Sequence, residues 1–199
     1  MSHKNLPWGF VAKKIVYGIA AYRYILCVVE LWRPEHAEGA IEVVRAVFDE
    51  YGFTWDETGY HADLYDVPSH YLQDDCPFYV FLDGPRVVGT AALDRFQTLP
   101  GSPGSLIEVD GTRRIAATDC ALERLYVHPS ARRRGIGSLL FEQVLSEARK
   151  TGCNRMEIWS DKRFGDAHRL YERFGAKAIG DRICDDPDVS PEWGLLLNL

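Results

Sequence analysis

"ARRRGIGSLLFEQVLSEARKTG", Ala131 to Gly152, decides how this chain is read: three consecutive arginines meet two glycines and run at once into an amphipathic helix. Leu139, Leu140, Val144, Leu145 and Ala148 share one helical face, and Gly152 supplies the stop. The first turn of a helix leaves main-chain N–H groups unpaired and carries a partial positive charge, so it attracts anions, phosphates above all. Gly135 and Gly137 remove side chains where a phosphate would meet a Cβ, and they tolerate the unusual φ of a wrapped loop. Arg132, Arg133 and Arg134 add charge around it. Two nucleotide signatures fail on spelling. A P-loop needs Gly-Lys, which occurs nowhere in the chain, and a dinucleotide fingerprint needs a third glycine where Leu140 stands.

The flanking sequence alternates strands and helices. "YILCVVELW" reads as a strand, and Ala37, Ala40, Ile41, Val44, Val47 and Phe48 mark one face of a helix that ends near Gly52. "FYVFL", the turn "DGPR" and "VVGTAALDRF" form a hairpin, because Asp-Gly between β-formers is a strong turn signal. A minor hairpin is expected around Asp110-Gly111, and "CALERLYVHP" is a strand stopped by Pro129. After the opening helix come the strand "RMEIWS", a helix over Asp166–Phe174, and two closing strands in "AKAIGDRI" and "PEWGLLLNL". The segment from Asp49 to Asp75 has no clean periodicity and is expected to be loop with a short helix.

Composition bounds the function. A chain of 199 residues, 46% hydrophobic and 26% charged, buries a full core as one domain. Its net charge of -6 argues against general nucleic-acid binding, so the arginine run is a local feature. Five scattered cysteines, Cys27, Cys76, Cys120, Cys153 and Cys184, show no CxxC pair or zinc-ligand spacing, and His61, His70, His128 and His168 show none either. No metal is assigned, and reduced thiols fit a cytoplasmic protein. The apolar N-terminal stretch is cut by Arg23, and neither piece approaches the ~20 residues of a membrane span. Residues 1–24 therefore read as an extension, with the domain over 25–199 and no membrane partner.

The pattern RxxGxG, spelled Arg132 to Gly137 between a strand and a helix, resembles the pyrophosphate-binding signature of the GNAT superfamily of acetyl-CoA-dependent N-acetyltransferases. "LERLYVHP" before it and "DAHRLYERFGA" after it resemble the family in order and separation. The resemblance covers roughly residues 25 to 199. It implies an α/β (α+β) fold: a central mixed, mostly antiparallel sheet flanked by helices, with two strands splayed at the acetyl-CoA site. It also implies that Leu125, Tyr126 and Val127 hold the pantetheine arm, that the N–H near Val127 polarises the acetyl carbonyl, and that Arg132, Arg133, Arg134, Gly135, Ile136, Gly137 and Ser138 hold the pyrophosphate. Acetyl-CoA is then a cosubstrate, the partner is a small-molecule amine or peptide amine, and a homodimer is a frequent family form.

Direct transfer to an amine needs two proton transfers and no acyl-enzyme. By resemblance, Tyr171 in "HRLYERFG" is the acid that protonates the departing thiolate; its place on the apolar helix face also suits a core tyrosine. Glu123 falls by strand alternation on the face of Leu125 and Val127, which aims it at the acceptor amine as base, although a solvated strand glutamate has the same spacing. The chain departs from the family at Phe164, where relatives often have Asn, and at Ala176, where they often have Phe. In the loop, Asp56, Glu57, Asp63, Asp66, Asp74 and Asp75 interleave with Tyr51, Trp55, Tyr60, Tyr65 and Tyr71, a composition that suits either a wall for a cationic amine or an acidic surface with inward aromatics. A non-catalytic CoA-binding module on the same fold is the alternative function.

Overall fold

Five consecutive apolar residues, Phe78 to Leu82, mark a strand buried on both faces. In the structure, a computed structural model that describes residues 27–72 and 76–199, Phe78 and Val80 enter one hydrophobic cluster and Tyr79 and Phe81 the opposite one. The predicted extension over 1–24, and Asp74 and Asp75, lie outside the described residues. The elements in chain order are β1 (Cys27–Leu31), α1 (Ala37–Tyr51), α2 (Ala62–Tyr65), α3 (Val67–His70), β2 (Phe78–Asp83), β3 (Arg86–Arg95), β4 (Leu106–Val109), β5 (Thr112–Ile115), β6 (Cys120–Val127), α4 (Ile136–Lys150), β7 (Arg155–Asp161), α5 (Gly165–Arg173), β8 (Lys177–Ile183) and β9 (Pro191–Asn198).

Seven strands form one sheet in the order β1-β2-β3-β6-β7-β9-β8, antiparallel except for the β6–β7 pair. A parallel pair needs a crossover, and α4 supplies it. One face carries α1, whose Ala40, Val43, Val44 and Phe48 pack with Val67, Tyr71 and Phe78. The other carries α4 and α5, whose Ile136, Leu140, Phe141, Val144, Leu145, Leu170 and Tyr171 pack with Met156, Ile158 and Leu195. The α4 stripe is wider than its periodicity indicated, since Ile136 and Phe141 are buried too. It lies close on β3: a Cβ at Gly89 would stand 2.8 Å from Leu140 Cδ1 and 3.3 Å from the Tyr126 carbonyl oxygen.

Buried polar groups fix the sheet's lower end. Asp119 accepts from the N–H groups of Asn154 (2.9 and 3.0 Å) and Arg155 (3.0 Å), aligning the starts of β6 and β7. The minor β4–β5 hairpin is tied down by Glu157, which is 1% exposed, pairs with Arg114 and accepts from Ile115 N–H at 2.8 Å.

The loop after α1 closes on its own aromatics. His61 is fully buried, stacked on Trp55 at 3.9 Å and edge-on to Phe48 at 4.4 Å. Its Nε2 has no partner among the described residues, and burial, with Arg124 nearby, lowers its pKa to about 4. An unfolded histidine titrates near 6.5, so between about 4 and 6.5 the unfolded chain binds the extra proton. Stability from this site is complete above about pH 6.5 and is lost as pH falls toward 4. Urea midpoints should therefore drop between pH 7 and pH 4.5, and His61→Phe should flatten that drop; equal flattening in neither buffer nor variant would contradict the assignment.

Candidate active site

The sheet opens between β6 and β7. β6 is paired with β3 out to Val127, but with β7 only over Cys120–Leu122. Beyond that point Trp159, Ser160 and Asp161 of β7 pair with β9 alone. The cause is a bulge. Ala92 faces Glu123 and Thr90 faces Tyr126, so Arg124 and Leu125 together stand opposite Ala91. Arg124 adopts φ 50°, a left-handed conformation uncommon outside glycine. A cleft of about 750 Å³ fills the opening, with the α4 N-terminus at one end and Tyr60, Cys184 and Asp186 at the other.

The bulge corrects one expectation. Strict alternation puts Glu123 on the face of Leu125 and Val127, but the extra residue reverses the parity. Leu125 and Val127 pack against the cluster under α4, whereas Glu123 pairs across to Ala92, which belongs to the cluster under α1. Leu125, Tyr126 and Val127 nevertheless all line the cleft, as does Glu123.

At the α4 end Gly135 is the N-cap residue in a left-handed conformation, φ 78°, with no side chain capping the helix. The first intrahelical bond from here is donated by Leu139 N–H, so the amides of Ile136, Gly137 and Ser138 are left for an outside acceptor. A Cβ on Gly135 would meet nothing within 4 Å, and one on Gly137 would only touch Leu170 and Val127 at 3.6 and 3.7 Å. Only Gly135 is therefore demanded by backbone conformation; both glycines line the cleft. The arginines divide. Arg133 lines the cleft; Arg132 lines it while bonding Glu50 (2.9 Å) and the Val127 carbonyl (3.3 Å). Arg134 turns to Asp83 at 2.6 Å, and the cleft lining does not include it. An expected phosphate contact from its side chain is thus replaced by an ion pair across to β2.

Glu123 and Tyr171 meet in the cleft. Among the described residues the Glu123 carboxylate has neither hydrogen bond nor ion pair. Its side chain is open to solvent in the cleft, yet desolvation by the protein packed around it pushes its pKa up to about 7; Arg124 and Arg182 oppose that rise, and Asp94 and Glu192 add to it. Tyr171 is 4% exposed and edge-on to Phe141 at 5.4 Å. Burial drives its phenol well above the ordinary value, so it stays a proton donor at neutral pH. Cys184 lines the same cleft, but burial pushes its thiol up to about 12. It is no thiolate nucleophile.

The acidic, aromatic loop resolves in favour of internal use. Asp56 accepts from the N–H groups of Gly59 and Tyr60 at 3.0 Å, Asp66 caps α3, and Asp63 pairs with Arg124. Of its five aromatics Tyr51, at the end of α1, and Tyr60 line the cleft, whereas Trp55, Tyr65 and Tyr71 do not. Phe164 stands edge-on to Tyr51 (4.9 Å) and Phe53 (5.7 Å), making an apolar wall. Sequence reasoning missed Arg124, Trp159, Arg182 and Glu192, which line the cleft from four strands. Arg124 carried one signal, a Glu-Arg pair of charges inside an otherwise apolar strand; the other three needed the sheet order. Asp119, Cys120 and Cys153 bring possible metal-ligand atoms within 4.8 Å of one another. They fit an ion poorly, because both Asp119 oxygens are already bonded and burial pushes the Cys120 thiol up. Among the described residues, no helix is long and apolar enough to cross a membrane.

A family model described as the acetyltransferase (GNAT) family matches residues 41–176, and the chain belongs to that family. Over 70 residues it is 49% identical to a mycothiol acetyltransferase of Saccharomonospora viridis; the match spans 35% of this chain but only 21% of that enzyme. Among solved structures, a GNAT-family acetyltransferase of Staphylococcus aureus Mu50 superposes with a TM-score of 0.68 at 18% identity, covering 86% of this chain and 98% of that one. An acetyltransferase of Salmonella typhimurium, solved with its cofactor acetyl-CoA, superposes at 0.63 with 16% identity, covering 87% and 94%. At these identities the structural likeness speaks to the fold, a mixed, mostly antiparallel sheet flanked by helices.

The two glycines should separate experimentally. Gly135→Val places a β-branched side chain at φ 78° and in the phosphate's space, and should weaken CoA binding at least about tenfold by calorimetry. Gly137→Ala should leave the fold at least as stable, since alanine in a helix gains roughly 0.5–1 kcal/mol over glycine. Unchanged CoA affinity in Gly135→Val would move the phosphate site elsewhere.

Proposed function

We propose that the protein transfers the acetyl group of acetyl-CoA directly to a primary amine, with Glu123 as base and Tyr171 as acid. The observation that carries this reading is the splay of β6 from β7, which leaves a free strand edge running from the open amides of α4 to an unpaired carboxylate. The family membership and the acetyl-CoA complex of a structural neighbour support the choice of donor.

The residues divide the work. The Ile136, Gly137 and Ser138 amides, with Arg132 and Arg133, hold the pyrophosphate; the edge at Leu125–Val127 holds the pantetheine arm. Glu123 takes one proton from the acceptor ammonium, and the freed amine attacks the acetyl carbonyl carbon. A main-chain N–H near Val127 bonds the developing oxyanion; a preorganised donor of this kind is worth roughly 3 kcal/mol in acyl transfer. As the carbon–sulfur bond breaks, the Tyr171 hydroxyl protonates the thiolate; the second proton on the new amide nitrogen leaves to water, Tyr171 regains a proton from that water, and the proton held by Glu123 is the net one released. A thiol held at about 12 in Cys184 favours direct transfer over an acyl-enzyme. The acceptor is a small-molecule amine or a peptide amine, recognised at the end of the cleft lined by Tyr60, Glu192 and Asp186.

A carboxyl near 7 must lose its proton before it can act, so turnover should rise as pH increases through about 7. CoA release from acetyl-CoA across a panel of primary amines measures it. Glu123→Gln should lower kcat by roughly 10²-fold or more and abolish that limb. Tyr171→Phe should lower kcat while CoA affinity holds; full activity there returns Tyr171 to the core. Binding of CoA without release for any amine would instead support the non-catalytic module.

A further inference from the structure

The bulge that sets the direction of Glu123 is held by one side chain. Arg124 donates from Nε to Asp63 Oδ2 at 2.8 Å, and from Nη2 to Asp63 Oδ1 at 2.7 Å and to the Tyr60 carbonyl at 2.6 Å. Its guanidinium lies over the Tyr60 ring at 4.9 Å. Tyr71 donates to the same Asp63 oxygen as Arg124 Nε, at 2.6 Å. On the main chain, the Arg124 carbonyl accepts from Thr90 Oγ1 at 2.8 Å. Both members of the pair are about nine-tenths buried, with side chains 10% and 11% exposed. A planar fork on a carboxylate fixes orientation as well as distance. A non-glycine residue at φ 50° persists only where its surroundings over-determine it. Besides a bond to the Tyr126 side chain on its own strand, the side chain's tethers to Asp63 and Tyr60 reach the segment after α1, which no strand hydrogen bond ties to β6 among the described residues.

We propose that Arg124 is a positioning residue: by clamping the bulge of β6 to Asp63 and Tyr60, it keeps Glu123 turned to the acceptor side and Tyr60 at the cleft wall. This rests on the reading of Glu123 as base. The clamp also brings a fixed positive charge next to that carboxylate. The other groups facing Glu123 are Asp94 on β3, Glu157 on β7, Arg182 on β8, Glu192 on β9, Asp110 and Arg114 from the minor hairpin, and the phenols of Tyr71, Tyr126 and Tyr171, which stay neutral. Glu157 is neutralised by Arg114 and Arg182 by Glu192. Arg124 and Arg182 are both paired cations that oppose Asp94 at this carboxylate, and Arg124 has the larger effect of the two.

Removing one member of a buried pair strands the other charge and destabilises the fold, whereas removing both does so far less. The test therefore uses Asp63→Asn combined with Arg124→Met, in which residue 63 can still accept from Tyr71, and Arg124→Lys, which keeps the charge but loses the fork. Three quantities are read: kcat on an amine panel, KM for acetyl-CoA, and the Glu123 carboxyl titration by ¹³C NMR. In the double variant kcat should fall by about 10²-fold, the scale of a misplaced catalytic group, with KM for acetyl-CoA changing less. The Glu123 midpoint should move above about 7 there and stay near it in Arg124→Lys. A folded double variant with an unmoved midpoint overturns the proposal, with or without a loss of rate, because a rate loss alone marks a purely structural pair. The titration needs no turnover, so it judges the clamp even if Glu123→Gln proves fully active and the base reading falls.

Discussion

One extra residue in β6 governs the geometry of this molecule. With Arg124 and Leu125 both opposite Ala91, the strand twists away from β7 after Leu122 and exposes an unpaired edge in the middle of the sheet. Internal sheet edges are normally satisfied by a neighbour, and an unsatisfied one invites an extended ligand to take the neighbour's place. The parallel β6–β7 pair makes this arrangement available, because its crossover helix starts at the strand's C-terminal end and points its free amides along the same opening. The phosphate-binding end and the reactive end are thereby set on one line.

The same bulge partitions the chemistry between faces. Leu125 and Val127 look toward α4 and the coenzyme side, while Glu123 looks toward α1. A donor and an acceptor can then approach from opposite directions, meeting at the strand. The surroundings tune the two proton-handling groups in the useful sense: they raise the carboxyl of Glu123 to about 7 and keep the phenol of Tyr171 protonated. Both shifts have the same leading cause, desolvation by the protein packed around each group.

Charge in this protein is mostly spent locally. The arginine run contributes to the cleft through Arg132 and Arg133, while Arg134 crosses to Asp83. The acids of the loop after α1 cap turns or face Arg124. Most of these charges answer one another within the domain. This pairing leaves Glu123 as an unpaired acid in the cleft among the described residues.

Much of this could be read from the chain alone, wherever local rules apply. The two-faced strand Phe78–Leu82, the Asp-Gly hairpin after it, the helix that opens at Gly135 and the closing strands follow from periodicity and turn chemistry, which act over a few residues. So does the anion-binding character of the Arg132–Ser138 loop, since it comes from helix ends and glycine conformation. What the tertiary structure alone decided is parity and partnership. Period-two alternation assigned Glu123 to the wrong side of β6, because a bulge is imposed by a residue 61 positions away, Asp63, through the Arg124 side chain. Arg182 and Glu192 joined the cleft only through the order β6-β7-β9-β8, and Arg134 left it because Asp83 happened to lie across the turn. Local sequence sets the conformation of each segment; which charges meet depends on segments brought together from far along the chain.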